Sequence, residues 1–195
     1  MRKLFTLAAL SFSLLALAQE TAPQTEGQAK ATAHTLYGSA MLSEPSQFGL
    51  YYEYAGKGEN ADRSSTIVNL SYGTMNYEIE GTDLDVDGSG FVIEFGGRNY
   101  FSKLQPLQGF YTANYLSYGN IKFDKTISGM KFDGTYSYFS FFTPEVGYKI
   151  KAGNLCIDPF IGIMWKIEVK GKGDIDNRTT DEWVPRAGLR IGYSF

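Results

Sequence analysis

Asp83, Asp85 and Asp87 stand at alternate positions, Gly88 closes the run, and Glu94 follows after five intervening residues. As a string this satisfies the expression D-x-D-x-D-G-x5-E of a calcium-binding loop, whose oxygen ligands suit a hard cation. The setting argues against a helix-flanked loop. The neighbouring residues alternate as strands do, and Glu94 falls in the register of the polar strand face, away from the acidic run. An acidic, solvated loop is the plainer reading, and Asp83, Asp85 and Asp87 are retained only as weak candidates for a looser divalent site. Other residues with reactive side chains are few. His34 is the single histidine and Cys156 the single cysteine. A hydrolase or acyltransferase needs a nucleophile beside a base, usually histidine, and the chain has no Gly-x-Ser-x-Gly elbow. Cys156 is near Asp158 but far from His34 in sequence, and reads as a small packed residue rather than a thiolate nucleophile. No catalytic residue and no cofactor site is assigned, and the expectation is a chain that is not an enzyme.

A second group of polar residues has a different pattern. Glu53, Glu94, Glu145, Asp158 and Glu168, with Arg98, Lys149, Lys166, Lys170, Arg186 and Arg190, each sit on the polar side of a segment that alternates with period two. Such alternation is a strand with one apolar and one polar face. It is plain in Trp183–Phe195, where Trp183, Pro185, Ala187, Leu189, Ile191, Tyr193 and Phe195 oppose Val184, Arg186, Gly188, Arg190, Gly192 and Ser194. It is equally plain in Leu155–Lys170, with Ile157, Ile161, Ile163 and Trp165 opposite Asp158, Gly162 and Lys166. The pattern predicts eight strands over Thr32–Leu42, Gln47–Ala55, Ser64–Glu80, Ser89–Ser102, Gly109–Asp124, Thr135–Ile150, Leu155–Lys170 and Trp183–Phe195. Gly109–Asp124 is aromatic on both faces, which leaves its facing open. Pro144, Pro159 and Pro185 fall inside strands, where proline removes a ladder hydrogen bond, and are expected at bulges or strand ends. Several strands exceed the roughly 9–11 residues that a tilted strand needs to cross a bilayer.

The chain begins with Arg2 and Lys3, an apolar run over Leu4–Leu17 and a small-x-small site at Ala16–Ala18. This predicts a secretory signal peptide over residues 1–18, then a Pro/Gln/Thr/Glu-rich flexible tail over 19–31 and one domain over 32–195. The formal charge of −3 becomes −5 without Arg2 and Lys3, so no basic footprint for nucleic acid exists. One cysteine makes no internal disulfide. A mean hydropathy of −0.22 is compatible with a membrane barrel, because every second residue is polar. The 14 tyrosines, 14 phenylalanines and 22 glycines fit that class, aromatics serving interface girdles and glycines a crowded interior.

The terminal pattern of Leu189, Ile191, Tyr193 and Phe195 resembles the C-terminal signal of bacterial outer-membrane barrels, which implies recognition by the barrel-assembly machinery. With the predicted signal peptide and eight amphipathic strands, Thr32–Phe195 resembles the small OmpA/OmpX-type outer-membrane β-barrels. That resemblance implies an all-β, eight-stranded antiparallel transmembrane barrel. It also implies contact with outer-membrane lipid and lipopolysaccharide, and a structural or adhesive role through extracellular loops with a possible extracellular ligand. Parity then puts Ser43–Ser46, Gly81–Gly88, Lys125–Gly134 and Gly171–Glu182 outside, and Gly56–Arg63, Lys103–Gln108 and Lys151–Asn154 inside. An eight-stranded interior is just wide enough for side chains, and charges there are costly unless paired. Glu53, Glu94, Arg98, Glu145, Lys149, Asp158, Lys166, Glu168, Arg186 and Arg190 are therefore expected to interlock as a salt-bridge plug. A narrow, charge-lined ion pathway is the second reading, and a lipid-modifying enzyme the third.

Overall fold

Alternating residues give each segment one face toward the interior and one toward the surroundings. The computed structural model describes residues 33–55, 61–79, 85–102, 106–127, 130–173 and 181–195. Its strands are β1 (His34–Leu42), β2 (Ser46–Tyr54), β3 (Ser64–Glu78), β4 (Asp85–Tyr100), β5 (Gly109–Ile127), β6 (Met130–Phe142), β7 (Pro144–Ala152), β8 (Leu155–Gly173) and β9 (Trp183–Ser194). Neighbours pair antiparallel, and β1 pairs with β9 to close the ring. The segments β6 and β7 form one wall strand interrupted at Thr143, since both pair with β5 on one side and β8 on the other. The result is an all-β antiparallel barrel of eight wall strands.

The three prolines sit where the ladder can spare a donor. Pro144 follows the interruption, and the β6–β8 register shifts between Phe139 and Phe142. The wall is repaired there by a side chain, because Asn114 Nδ2 donates to the Phe141 carbonyl at 3.2 Å and the Thr143 N–H donates to Asn114 Oδ1 at 2.9 Å. Opposite Pro159 the β7–β8 ladder skips from Gly147↔Phe160 to Ile150↔Ile157. Pro185 lies beyond Leu42↔Ala187, the last pair between β1 and β9, so its missing N–H interrupts no bond to β1.

The outward face is apolar through most of the wall and carries Phe48, Leu50, Leu70, Tyr72, Phe95, Ile161 and Ile191, all exposed. The inward face is polar and aromatic. The facing that the sequence leaves open in β5 is settled: Tyr111 and Tyr115 are buried inside, while Leu116 and Tyr118 point out. Inward aromatics lie over glycines on the next strand. Tyr37 pairs with Gly192, Tyr115 with Gly96, Tyr138 with Gly119, and Tyr111 with Gly147. A Cβ on Gly119 would come within 2.2 Å of the Tyr138 ring, so the glycine is what lets the ring lie flat across the wall.

Two predicted loops are corrected. Gly81–Gly88 is strand from Asp85 onward, and Lys125–Gly134 is strand except for 128–129, which lie outside the described residues. The hairpins β3–β4 and β5–β6, with the end of β8, continue past the short β1–β2 turn. In these extensions the sense of the alternation inverts. Met75, Tyr77, Val86, Ile121, Phe123 and Tyr136 are buried inside as one apolar cluster, and Asn76, Asp85, Asp87, Lys122, Asp124 and Lys131 face out. An apolar interior with a polar exterior is the arrangement of a segment surrounded by water.

Candidate functional site

The chemistry-bearing residues converge inside the barrel. Glu53 on β2 accepts from Lys149 Nζ at 2.7 Å, from the Tyr37, Tyr100 and Ser65 hydroxyls at 2.6 Å each, and faces Arg98 Nη1 at 3.6 Å. Glu94 on β4 pairs with Arg186 Nη2 at 2.9 Å and accepts from Tyr51 and Asn69. Glu145 on β7 receives both Nη atoms of Arg190 at 2.8 Å, a bidentate pair, and the hydroxyls of Tyr111 and Tyr115. Asp158 on β8 joins two of these groups, with Arg98 Nη2 at 2.8 Å and Arg190 Nη1 at 3.4 Å. Four carboxylates thus meet four cations, a neutral set in which each member is at most 2 % exposed.

Aromatic rings complete the packing around these charges. The Arg190 guanidinium lies 3.6 Å from the Phe160 centroid and 4.1 Å from that of Tyr51, and Arg98 lies 4.3 Å from that of Tyr111. Guanidinium groups are more weakly hydrated than ammonium and stack on ring faces. The tyrosines therefore do two tasks: their rings face the cations and their hydroxyls donate to the carboxylates.

Two predicted members sit elsewhere. Lys166 is buried, but its partner is Glu44 in the β1–β2 turn at 3.4 Å, and its amine lies over the rings of Tyr136 and Tyr138. Glu168 is only half-buried, opposite Tyr138 at a register shift in β8, above the central group. Glu168 keeps the inward register of Met164 and Lys166, but its place opposite Tyr138 puts it at the level of the apolar cluster rather than of the central charges. The Lys170 side chain lies outside the described residues. The tyrosine hydroxyls are the members that sequence reasoning missed. Their signal was Tyr37 and Tyr51, which stand on the polar side of their alternating segments.

The remaining candidates are dispersed. Asp83 lies outside the described residues. Asp85 faces outward opposite Glu78, Asp87 faces outward and pairs with Lys125, and Glu94 is inside, so the calcium-loop string is divided between the two faces of one strand. His34 Nδ1 meets the Tyr52 hydroxyl at 2.6 Å on the outer face, in a ring stack that includes Phe195. Cys156 faces inward on β8, across the wall from the face His34 occupies. Leu189, Ile191, Tyr193 and Phe195 all face outward from β9 and its end.

No family model and no curated protein matches the chain. Solved structures do. A major outer membrane protein from Thermus thermophilus aligns with a TM-score of 0.57 at 12% identity, over 85% of this chain and 100% of that one. The chain has the fold of an outer-membrane β-barrel. The barrel is also similar to the attachment invasion locus protein Ail of Yersinia pestis, solved with the heparin analogue sucrose octasulfate (TM-score 0.48, 16% identity, 84% and 97% covered). Neisserial surface protein A gives a TM-score of 0.44 at 10% identity, with 87% and 98% covered. Inside the barrel the carboxylates are held by several donors each, and the guanidinium groups lie between acids and rings.

Proposed function

We propose that the chain is a non-enzymatic barrel of the bacterial outer membrane, exported by cleavage of residues 1–18, with a closed lumen and a surface-binding outer end. The observation that carries this reading is the neutral, fully buried set of Glu53, Glu94, Glu145 and Asp158 with Arg98, Lys149, Arg186 and Arg190. Eight strands leave room for side chains and little else, and here that room is taken by paired charge. The apolar cluster of Met75, Tyr77, Ile121, Phe123 and Met164 lies above it as a second layer. With the interior committed to packing, binding falls to the outer extensions of β3–β4 and β5–β6, whose polar faces stand clear of the apolar wall. The separation of His34 from Cys156 across the wall supports the non-enzymatic reading.

Conductance in a planar bilayer tests the closed lumen. The refolded protein, verified by a gel shift on boiling, is expected to be silent at voltages that open larger barrels. Reproducible current steps whose selectivity changes in Arg190→Ala would replace this reading with that of an ion pathway. Surface binding is tested on whole cells that display the barrel: exchange of residues 80–84 and 128–129 for Gly/Ser linkers is expected to abolish adhesion while leaving the gel shift intact.

A further inference from the structure

One seam of the barrel differs from the rest of its apolar wall. Along β1 and β9 the outward residues are small where their neighbours are large. Ala40 stands between Phe48 on β2 and Leu189 on β9, and Ala187 stands opposite Leu42. The result is a furrow of about 280 Å³ floored by Ala40 and Ala187 and walled by Leu42, Phe48 and Leu189. It continues past the end of β1. There β9 rises above Leu42 without a β1 partner, and a second recess of about 390 Å³ is bordered by Ser43, Glu44, Asp181 and Pro185. The two recesses share Leu42 and Ala187, so an apolar trough leads up to a polar end.

The charge at that end has a sign. Among the described residues, Glu44 and Asp181 are carboxylates at its rim; Arg186 also lines the recess, but its buried guanidinium is paired with Glu94 at 2.9 Å, and the buried amine of Lys166 stands 3.4 Å from Glu44. With Arg186 neutralised by Glu94, Lys166 alone offsets the two acids, which among the described residues leaves a net negative charge at the top of an apolar trough. We propose that this seam holds one lipid, its acyl chain lying over Ala40 and Ala187 and a primary amine of its headgroup meeting Glu44 and Asp181. The inference rests on the chain being a membrane-spanning barrel. An apolar trough facing lipid is filled by a chain, since an empty one forfeits its dispersion contacts. The acidic rim selects an amine-bearing headgroup, because a purely anionic one would meet like charge. A second copy of the barrel is the less suitable occupant, since its wall is a broad curved surface and the trough is one side chain wide.

Native mass spectrometry on barrels released from nanodiscs containing equal phosphatidylethanolamine and phosphatidylglycerol tests this. The gel shift on boiling first confirms a folded barrel in every variant, which keeps failure of the lipid site distinct from failure of the membrane reading. Wild type is expected to keep one phosphatidylethanolamine at energies that strip all other lipid. Ala40→Phe and Ala187→Phe, both on the outward face where added volume meets no core, are expected to lower that occupancy at least tenfold. Glu44→Gln with Asp181→Asn is expected to keep a lipid but lose the preference for the amine. Equal retention by the filled variants, no retained lipid in wild type, or a dimer whose seams cross-link through Ala40→Cys would each overturn the proposal.

Discussion

At the scale of single residues, the interior charges and the wall repair make opposite demands on the same rule. A buried ion pair gains little over a well-packed apolar pair, but removing one partner strands the other. Arg190 holds Glu145 by two bonds of 2.8 Å, and Glu145 has only tyrosine hydroxyls besides. Arg190→Ala is therefore expected to destabilise the barrel by about 3–5 kcal/mol, read as the shift in urea unfolding from lipid vesicles. Arg190→Met with Glu145→Gln is expected to cost less than Arg190→Ala alone, because no charge is left unpaired. A double change as costly as the single one would mean that the pair is not the unit of stability. Asn114 is the reverse case, a polar side chain exposed on the apolar outer wall. Its amide serves both the Phe141 carbonyl and the Thr143 N–H. Asn114→Leu would suit lipid better by hydropathy, yet it leaves two backbone groups without a partner. Each is worth about 1–3 kcal/mol, so a net loss of stability is expected in the same unfolding assay, and a gain would show that the break is solvated by other means.

At the scale of elements, the glycine–aromatic pairs set how close neighbouring strands bring their side chains. A Cβ on Gly147 would come within 2.3 Å of the Tyr111 hydroxyl, which now donates to Asp158 at 2.7 Å. Gly147→Ala is expected to push that hydroxyl off its acceptor and to lower stability by about 1–3 kcal/mol, while Gly97→Ala, on the outward face of β4 where a Cβ meets nothing closer than 3.6 Å, leaves the Tyr111 contacts intact. The difference between the two in tyrosine fluorescence and in unfolding midpoint checks this. How far such features were legible in the sequence depends on the element. β8 and β9 were readable almost residue by residue, because period-two alternation there has large apolar residues on one side and charges on the other. β5 was not, since Tyr111 and Tyr118 are the same residue type on opposite faces and only the pairing with β4 and β7 decides between them. The extensions were misread as loops for a related reason. Their alternation persists, but its sense reverses where the wall leaves the apolar belt, so Val86 and Phe123 point in while Asp87 and Asp124 point out. Charge-rich segments then look like turns until their partners are known. The assignment of charges to the interior was legible from parity alone, whereas their pairing was not, because Glu94 and Arg186 lie on strands far apart in sequence and meet only across the closed ring.

At the scale of the whole molecule, the proposed closure has two layers with different physics. The lower layer is a neutral lattice of charges and hydroxyls, and the upper layer is an apolar cluster inside the outer extensions. An ion crossing the barrel would have to displace paired charges in one and lose its hydration in the other. Removing either layer alone leaves the second in place. The combination is then the informative test. Arg186→Ala with Glu94→Ala shortens the charged lattice without leaving an unpaired charge, and Tyr77→Ala with Phe123→Ala thins the apolar layer. Each double variant is expected to remain silent in a planar bilayer, and the quadruple variant to show small current steps. Current through either double variant would mean that one layer carries the seal alone. Silence in the quadruple variant, with its gel shift preserved, would mean that the remaining pairs of Glu53 with Lys149, Asp158 with Arg98 and Glu145 with Arg190 close the lumen by themselves, as their bonds of 2.7 Å, 2.8 Å and 2.8 Å would allow.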